Sequence, residues 1–193
     1  MIIGITGGTG CGKTTLLKAI EGQGGQICDC DAIYHELLAS DAGMLAAIGA
    51  RFPGVVAGGV LDRKKLGAIV FADEEALLDL NRITHAAVKR EVARRLESGP
   101  SLAAIDAIGL FESGLSELCD ITVAVTAPTE DRVRRLMKRD GISEEYARSR
   151  IAAQHGEDWF REKCDYVLEN NGEFHAFAAK CLAFLQGLDI MKA

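Results

Sequence analysis

The residues with the clearest chemical potential form the run Gly7-Gly8-Thr9-Gly10-Cys11-Gly12-Lys13-Thr14, where an ammonium and a hydroxyl follow directly on clustered glycines. The spacing fits G-x-x-x-x-G-K-[ST], a cradle for polyphosphate. Glycines at these offsets let the main chain fold around an anion with consecutive N–H groups pointing inward, and a helix beginning at once adds its partial positive charge. Lys13 is then placed to reach the β- and γ-phosphates of a nucleoside triphosphate. The Thr14 hydroxyl is placed to bind a Mg²⁺ bridging them, and Thr15 to approach an α-phosphate oxygen. Gly10, Cys11, Gly12, Lys13, Thr14 and Thr15 are the expected nucleotide-binding set. A glycine-rich turn that merely packs tightly would not require a lysine and a hydroxyl at these positions.

Two neighbouring chemistries fail on spacing. A dinucleotide fingerprint read from Gly8 or Gly10 puts Lys13 or Thr15 where its last glycine should stand. A guanine reader of the Asn/Thr-Lys-x-Asp kind is not supplied by Met137-Lys138-Arg139-Asp140, which lacks the first residue and falls within a predicted helix.

The cradle needs a strand before it and a helix after it, and the sequence provides both. Met1 to Thr6 reads as a buried parallel strand, and Lys13 to Glu21 as a helix with Leu17 and Ile20 on its core side. Gln26 to Cys30 is a second strand, after which Asp31 is expected to cap a helix running to Leu38, leaving Asp29 and Asp31 at a strand's carboxyl end. Ser40 to Gly99 is mostly helical, with a break over Phe52 to Gly59 and a fresh start at Asp62. Leu102 to Asp106, Ile121 to Thr126 and Tyr166 to Leu168 are the remaining strands, and a closing helix spans Phe174 to Leu188.

At 193 residues the chain suits one α/β unit with modest insertions. The expected partition is a single domain over 1–193. Its core lies at about 1–31, 100–127 and 163–193, with a helical acceptor-binding insertion at about 32–99 and a helical lid at about 128–162. Net charge of −6 offers no general attraction to nucleic acid or anionic membrane, so any bound anion must be gripped locally. No stretch approaches the apolar length of a membrane span, and no basic leader precedes the first strand, which points to a cytoplasmic protein with no membrane or nucleic-acid partner. The six cysteines are scattered without a C-x-x-C pair and read as reduced thiols.

Downstream segments resemble the dephospho-coenzyme A kinase family in order and spacing: Thr6-Gly7-Gly8 through Thr15, Cys28-Asp29-Cys30-Asp31, Leu61-Asp62-Arg63 with Val70-Phe71-Ala72-Asp73, Leu110-Phe111-Glu112, Arg139-Asp140-Gly141 with Arg150-Ile151-Ala152-Ala153-Gln154, and Asn170-Asn171-Gly172. The resemblance covers nearly the whole chain. It implies a P-loop α/β/α fold with a five-stranded, mostly parallel sheet, and phosphorylation of the ribose 3′-hydroxyl of dephospho-coenzyme A by MgATP. Rival readings are another small-molecule or nucleotide kinase on the same cradle, and a non-catalytic nucleotide-binding regulator. Ile108 and Ala86 stand where the family usually has proline, and Cys11 replaces a common serine.

The resemblance also assigns roles. Asp31 aligns with the aspartate beside the acceptor hydroxyl, where a carboxylate orients it and accepts its proton. Asp29 is structural. Asp106 ends an apolar strand, from which it either holds Mg²⁺ through water or caps the following turn. Glu112 and His85 match positions near the acceptor, although each could be a solvated or structural side chain. Arg132, Arg135 and Arg139 share one helix face. Arg139, with Lys13 and Asp31, is expected to be catalytic, and Arg150 to contact the nucleotide. Arg132 and Arg135 are read as a solvated basic face balanced by Glu130, Asp131, Glu144 and Glu145.

Overall fold

The computed structural model describes residues 1–188; residues 189–193, the end of the C-terminal core segment expected from the sequence, lie outside them. Along the chain, β1 (Ile2–Thr6) leads into α1 (Lys13–Gly22), β2 (Gln26–Asp29), α2 (Cys30–Ser40) and α3 (Ala42–Arg51). A short antiparallel hairpin, β3 (Val56–Ala57) with β4 (Val60–Leu61), precedes α4 (Arg63–Val70) and the long α5 (Glu74–Leu96). The chain continues through β5 (Ala103–Asp106), a 3₁₀ turn at Leu115–Leu118 and β6 (Ile121–Thr126). It then forms α6 (Thr129–Asp140), α7 (Glu144–Ala152), α8 (Glu157–Lys163), β7 (Tyr166–Glu169) and α9 (Phe174–Gly187).

Five strands make one sheet in the order β2-β5-β1-β6-β7, and every neighbouring pair in it is parallel. A parallel sheet must be covered on both faces, which is why its inner strands are almost uninterruptedly apolar. Ile3 and Ile5 point to the side occupied by α1 and α9, where they meet Leu16, Ile20, Phe177 and Leu185. Cys28 and Ile105 point the other way, toward Ile33 of α2, Ile48 of α3 and Val88 and Val92 of α5. The result is three layers, helices on sheet on helices. Core contacts on α1 come chiefly from Leu16 and Ile20; Leu17, expected on the core side, is only half-buried at its margin.

Short aspartates start the helices α2 to α5. Asp29, Asp41, Asp62 and Asp73 each accept main-chain N–H bonds from the first turn of α2, α3, α4 and α5, a device worth about 1 kcal/mol per helix. The expectation that Asp31 caps α2 is corrected here. Asp29 is the last residue paired with β5, in register with Asp106. The turn out of the sheet therefore begins at Asp29, whose Oδ1 takes the amides of Asp31 and Ala32 at 3.0 Å each. Asp31 is left in the first helical turn with its carboxylate free of capping duty.

Sheet order also fixes where a ligand can sit. From central β1 the chain runs through α1 to β2 at one edge, whereas β5 and β6 lie on opposite sides of β1, so a crevice opens at the carboxyl end of β1. Because Ile105 is wholly buried in β5 against α2, α3 and α5, Ile105→Val should cost about 1 kcal/mol and Ile105→Ala about 3 kcal/mol. Urea unfolding would show both as a lowered midpoint with an unchanged slope.

Candidate active site

The loop from Gly7 to Gly12 turns the chain from β1 into α1 by using left-handed backbone at Gly7, Gly10 and Gly12. Two of these glycines are enforced twice over. A Cβ on Gly7 would stand 2.2 Å from the Val125 carbonyl oxygen, and one on Gly12 2.4 Å from Asn170 Nδ2. No side chain caps α1, whose N-cap is Gly12 itself, so the first-turn amides and the helix dipole face the crevice.

The outward side of the loop is tied down carbonyl by carbonyl. Arg132 Nε donates to the Thr9 carbonyl at 2.9 Å, Arg135 Nη1 to that of Gly10 at 3.1 Å, and Asn170 Nδ2 to that of Cys11 at 2.8 Å. Gln154 Oε1 takes the Thr9 amide at 2.8 Å and Arg132 Nη2 at 3.1 Å. Arg132 is buried. The reading of Arg132 and Arg135 as a solvated basic face is therefore wrong: their face of α6 packs on the phosphate loop, and both guanidinium groups serve its backbone. Helical periodicity had put them on one face, but periodicity does not say what a face meets.

A cavity of about 360 Å³ lies over the loop, and Lys13, Thr14, Asp31, Asp106, Arg139 and Arg150 all line it. Lys13 Nζ is folded back onto the Gly7 carbonyl at 3.1 Å. Arg139 and Arg150 share one partner, Asp140, whose Oδ2 accepts from Arg139 Nη2 at 3.0 Å and Arg150 Nη1 at 2.8 Å, and whose Oδ1 accepts from Arg139 Nε at 2.6 Å. These bonds hold the Asp140 carboxyl at about 2, far down the carboxylate range. Asp106 is shifted the other way. Burial pushes its pKa up to about 6, the charges of Asp29 and Asp31 push in the same direction, and Lys13 opposes them. Its Oδ1 is buried with no hydrogen-bond partner. Of the two expected uses of Asp106, capping the next turn therefore has no support at that oxygen.

A second cavity, about 270 Å³, borders the first and is more apolar, lined among others by Tyr34, Leu80, Thr84, His85 and Val88. Asp31 and Ile108 belong to the walls of both cavities. A third, about 460 Å³, opens on the far side of the loop between Thr15, Arg134, Asn170 and Phe177. His85 is half-buried, and its pKa is lowered by that burial, with the main chain and charge of Glu112 acting against it.

Sequence comparison decides between the kinases that such a site could belong to. A dephospho-CoA kinase family model matches residues 1–176. The chain belongs to the dephospho-CoA kinase family. A dephospho-CoA kinase of Corynebacterium diphtheriae is 40% identical over 177 residues, spanning 89% of this chain and 88% of that one. Among solved structures, the Thermus thermophilus protein TT1252 superposes with a TM-score of 0.80 at 35% identity, covering 97% of each chain. Dephospho-CoA kinase from Campylobacter jejuni superposes with a TM-score of 0.70 at 26% identity over 100% of this chain and 98% of its own.

Where this dephospho-CoA kinase family chain departs from the family's prolines, Ile108 is 43% exposed between the two cavities, and Ala86 follows cavity-lining His85 on α5. Cys11 is buried, and burial raises its thiol pKa. Gln154 and Asn170 entered the sequence reading only as family matches, and their bonds to the loop are new. Asp140, quoted with Arg139, proves to be the anchor of the arginine pair.

The Asp106 carboxyl has a testable signature. With its folded pKa near 6, well above the usual aspartate value, it costs stability above about pH 6, and that cost fades as pH falls toward 4. Asp106→Asn should therefore raise unfolding stability by about 2 kcal/mol at pH 8 and by nearly nothing at pH 4. The same variant should lose most of its turnover.

Proposed function

We propose that this chain transfers the γ-phosphoryl group of ATP to the ribose 3′-hydroxyl of dephospho-coenzyme A, giving coenzyme A and ADP. The 3′-oxygen forms the new O–P bond, the bond from the γ-phosphorus to the bridging oxygen breaks toward ADP, and the hydroxyl proton passes to a carboxylate. The observation that carries this reading is Asp31 in the wall common to the phosphate cavity and the apolar cavity beside it. A carboxylate there can orient an acceptor hydroxyl toward the γ-phosphorus and take its proton.

On the donor side, the amides of Gly10, Gly12, Lys13 and Thr14 and the Lys13 ammonium hold the β- and γ-phosphates, and the Thr15 hydroxyl approaches the α-phosphate. The nucleoside then extends past Thr15 into the cavity between Arg134 and Phe177. Arg139 and Arg150, held side by side by Asp140, direct positive charge at the transferring group, where a fixed guanidinium needs no reorganisation as charge spreads. α6, α7 and α8 are the lid that brings them there, and α2 to α5 form the acceptor region.

The residues suit a magnesium ion. Asp106 presents a buried carboxylate oxygen with no protein partner in the same cavity as Thr14 and Lys13, and oxygen donors of this kind suit that hard cation. Thr14 would hold it directly and Asp106 through water. When bound, it neutralises charge on the β- and γ-phosphates. All six cysteines are unpaired, five of them buried, which fits a reducing cytoplasm. No helix among the described residues is long and apolar enough to cross a membrane.

Asp31→Asn should lower kcat by about a hundredfold or more while leaving ATP affinity within about twofold. Lys13→Ala should impair both. A coupled ADP-release assay that compares dephospho-coenzyme A with adenosine, uridine and shikimate checks the acceptor; faster turnover of any of the other three would displace this assignment.

A further inference from the structure

Residues 153–156 connect α7 to α8, and two adjacent side chains there reach in opposite directions. Gln154 receives the Thr9 amide of the phosphate loop at 2.8 Å. His155 reaches instead the segment after β5, with Nε2 2.8 Å from Glu112 Oε1. Its ring also lies flat on Trp159, centroids 3.8 Å apart and planes 5° from parallel. Trp159 meets Phe111 edge-on at 5.5 Å, and Phe160, next on α8, is buried against Ala124 of β6. The stack is therefore founded on the sheet.

Glu112 belongs to the segment after β5 that walls the apolar cavity through Gly109, Ser113 and Leu115. This segment has only a 3₁₀ turn of its own, so its position depends on side-chain anchors. Lys89 holds one end through Glu117 at 2.6 Å. His155 holds the other through Glu112, next to the cavity-lining Ser113. Neither the phosphate loop nor the arginine pair makes use of the His155 ring.

We infer that His155 is a positioning residue for the acceptor: by bonding Glu112 and stacking on Trp159 it fixes the wall of the acceptor cavity, and so sets acceptor affinity without touching ATP. The inference rests on the acceptor occupying that cavity. Both side chains of the bond are close to half exposed, which limits the effect to an intermediate size.

Steady-state kinetics of the full chain, with ATP and dephospho-coenzyme A varied in turn, test it. His155→Ala should raise the acceptor KM about fivefold to tenfold and leave the ATP KM within about twofold. In a Glu112→Ala background the same substitution should change the acceptor KM by less than about twofold, because the bond it removes is already gone. An unchanged acceptor KM in the single variant, or an equal rise in both backgrounds, overturns the proposal. Leu80→Trp, which intrudes on the cavity from α5, separates the two levels of inference. If it leaves the acceptor KM unchanged, the placement of the acceptor fails and the role of His155 fails with it. If it raises that value while His155→Ala does not, only the role of His155 is lost.

Discussion

Everything in this site depends on keeping a loop of backbone amides turned inward against their mutual repulsion. Consecutive N–H dipoles aimed at one point are unfavourable without an anion, and a glycine-rich loop has little intrinsic reason to hold that shape. The structure supplies the reason from outside. Arg132, Arg135 and Asn170 grip the carbonyls of Thr9, Gly10 and Cys11 in sequence, so the loop is fixed by its oxygens; the Cys11 N–H turns back to the Gly8 carbonyl at 3.2 Å, and those of Gly10 and Gly12 are left for an anion. The two arginine bonds, buried or half-buried and charge-assisted, are among the stronger ones available to a protein.

The same grip links the two functions of α6. Its first turns clamp the phosphate loop through Arg132 and Arg135, while its end carries Arg139 into the cavity beside Arg150. One helix thus sets both the cradle and the charges facing it across the cavity. At the end of β2, capping of α2 by Asp29 leaves Asp31 free to line both cavities. Asp106 sits one strand away, its pKa raised by burial and by the charges of Asp29 and Asp31.

Much of this was legible in the residues because it is local. Glycine, lysine and threonine at fixed offsets announce the cradle, aspartates before apolar periodicity announce helix starts, and uninterrupted apolar runs announce a covered parallel sheet. What escaped was long-range. Arg132 meets Thr9 across 123 residues of sequence, and no periodicity in α6 distinguishes a face that meets water from one that meets a loop. Two aspartates spaced as Asp29 and Asp31 are both eligible caps, and only the register with β5 selects the first. The bond of His155 to Glu112 spans 43 residues and its stack on Trp159 forms around a turn, so neither leaves a motif.

Titration calorimetry of magnesium-bound, non-hydrolysable ATP analogue into the Asn170→Ala chain tests the anchoring of the loop most directly. Asn170 holds the loop by the Cys11 carbonyl, and because it also lines the third cavity, magnesium tripolyphosphate, which has no nucleoside to enter that cavity, is titrated beside the analogue. If that tether keeps the amides aimed inward, affinity falls about tenfold while the circular dichroism spectrum is unchanged. Wild-type affinity in that variant would contradict the account.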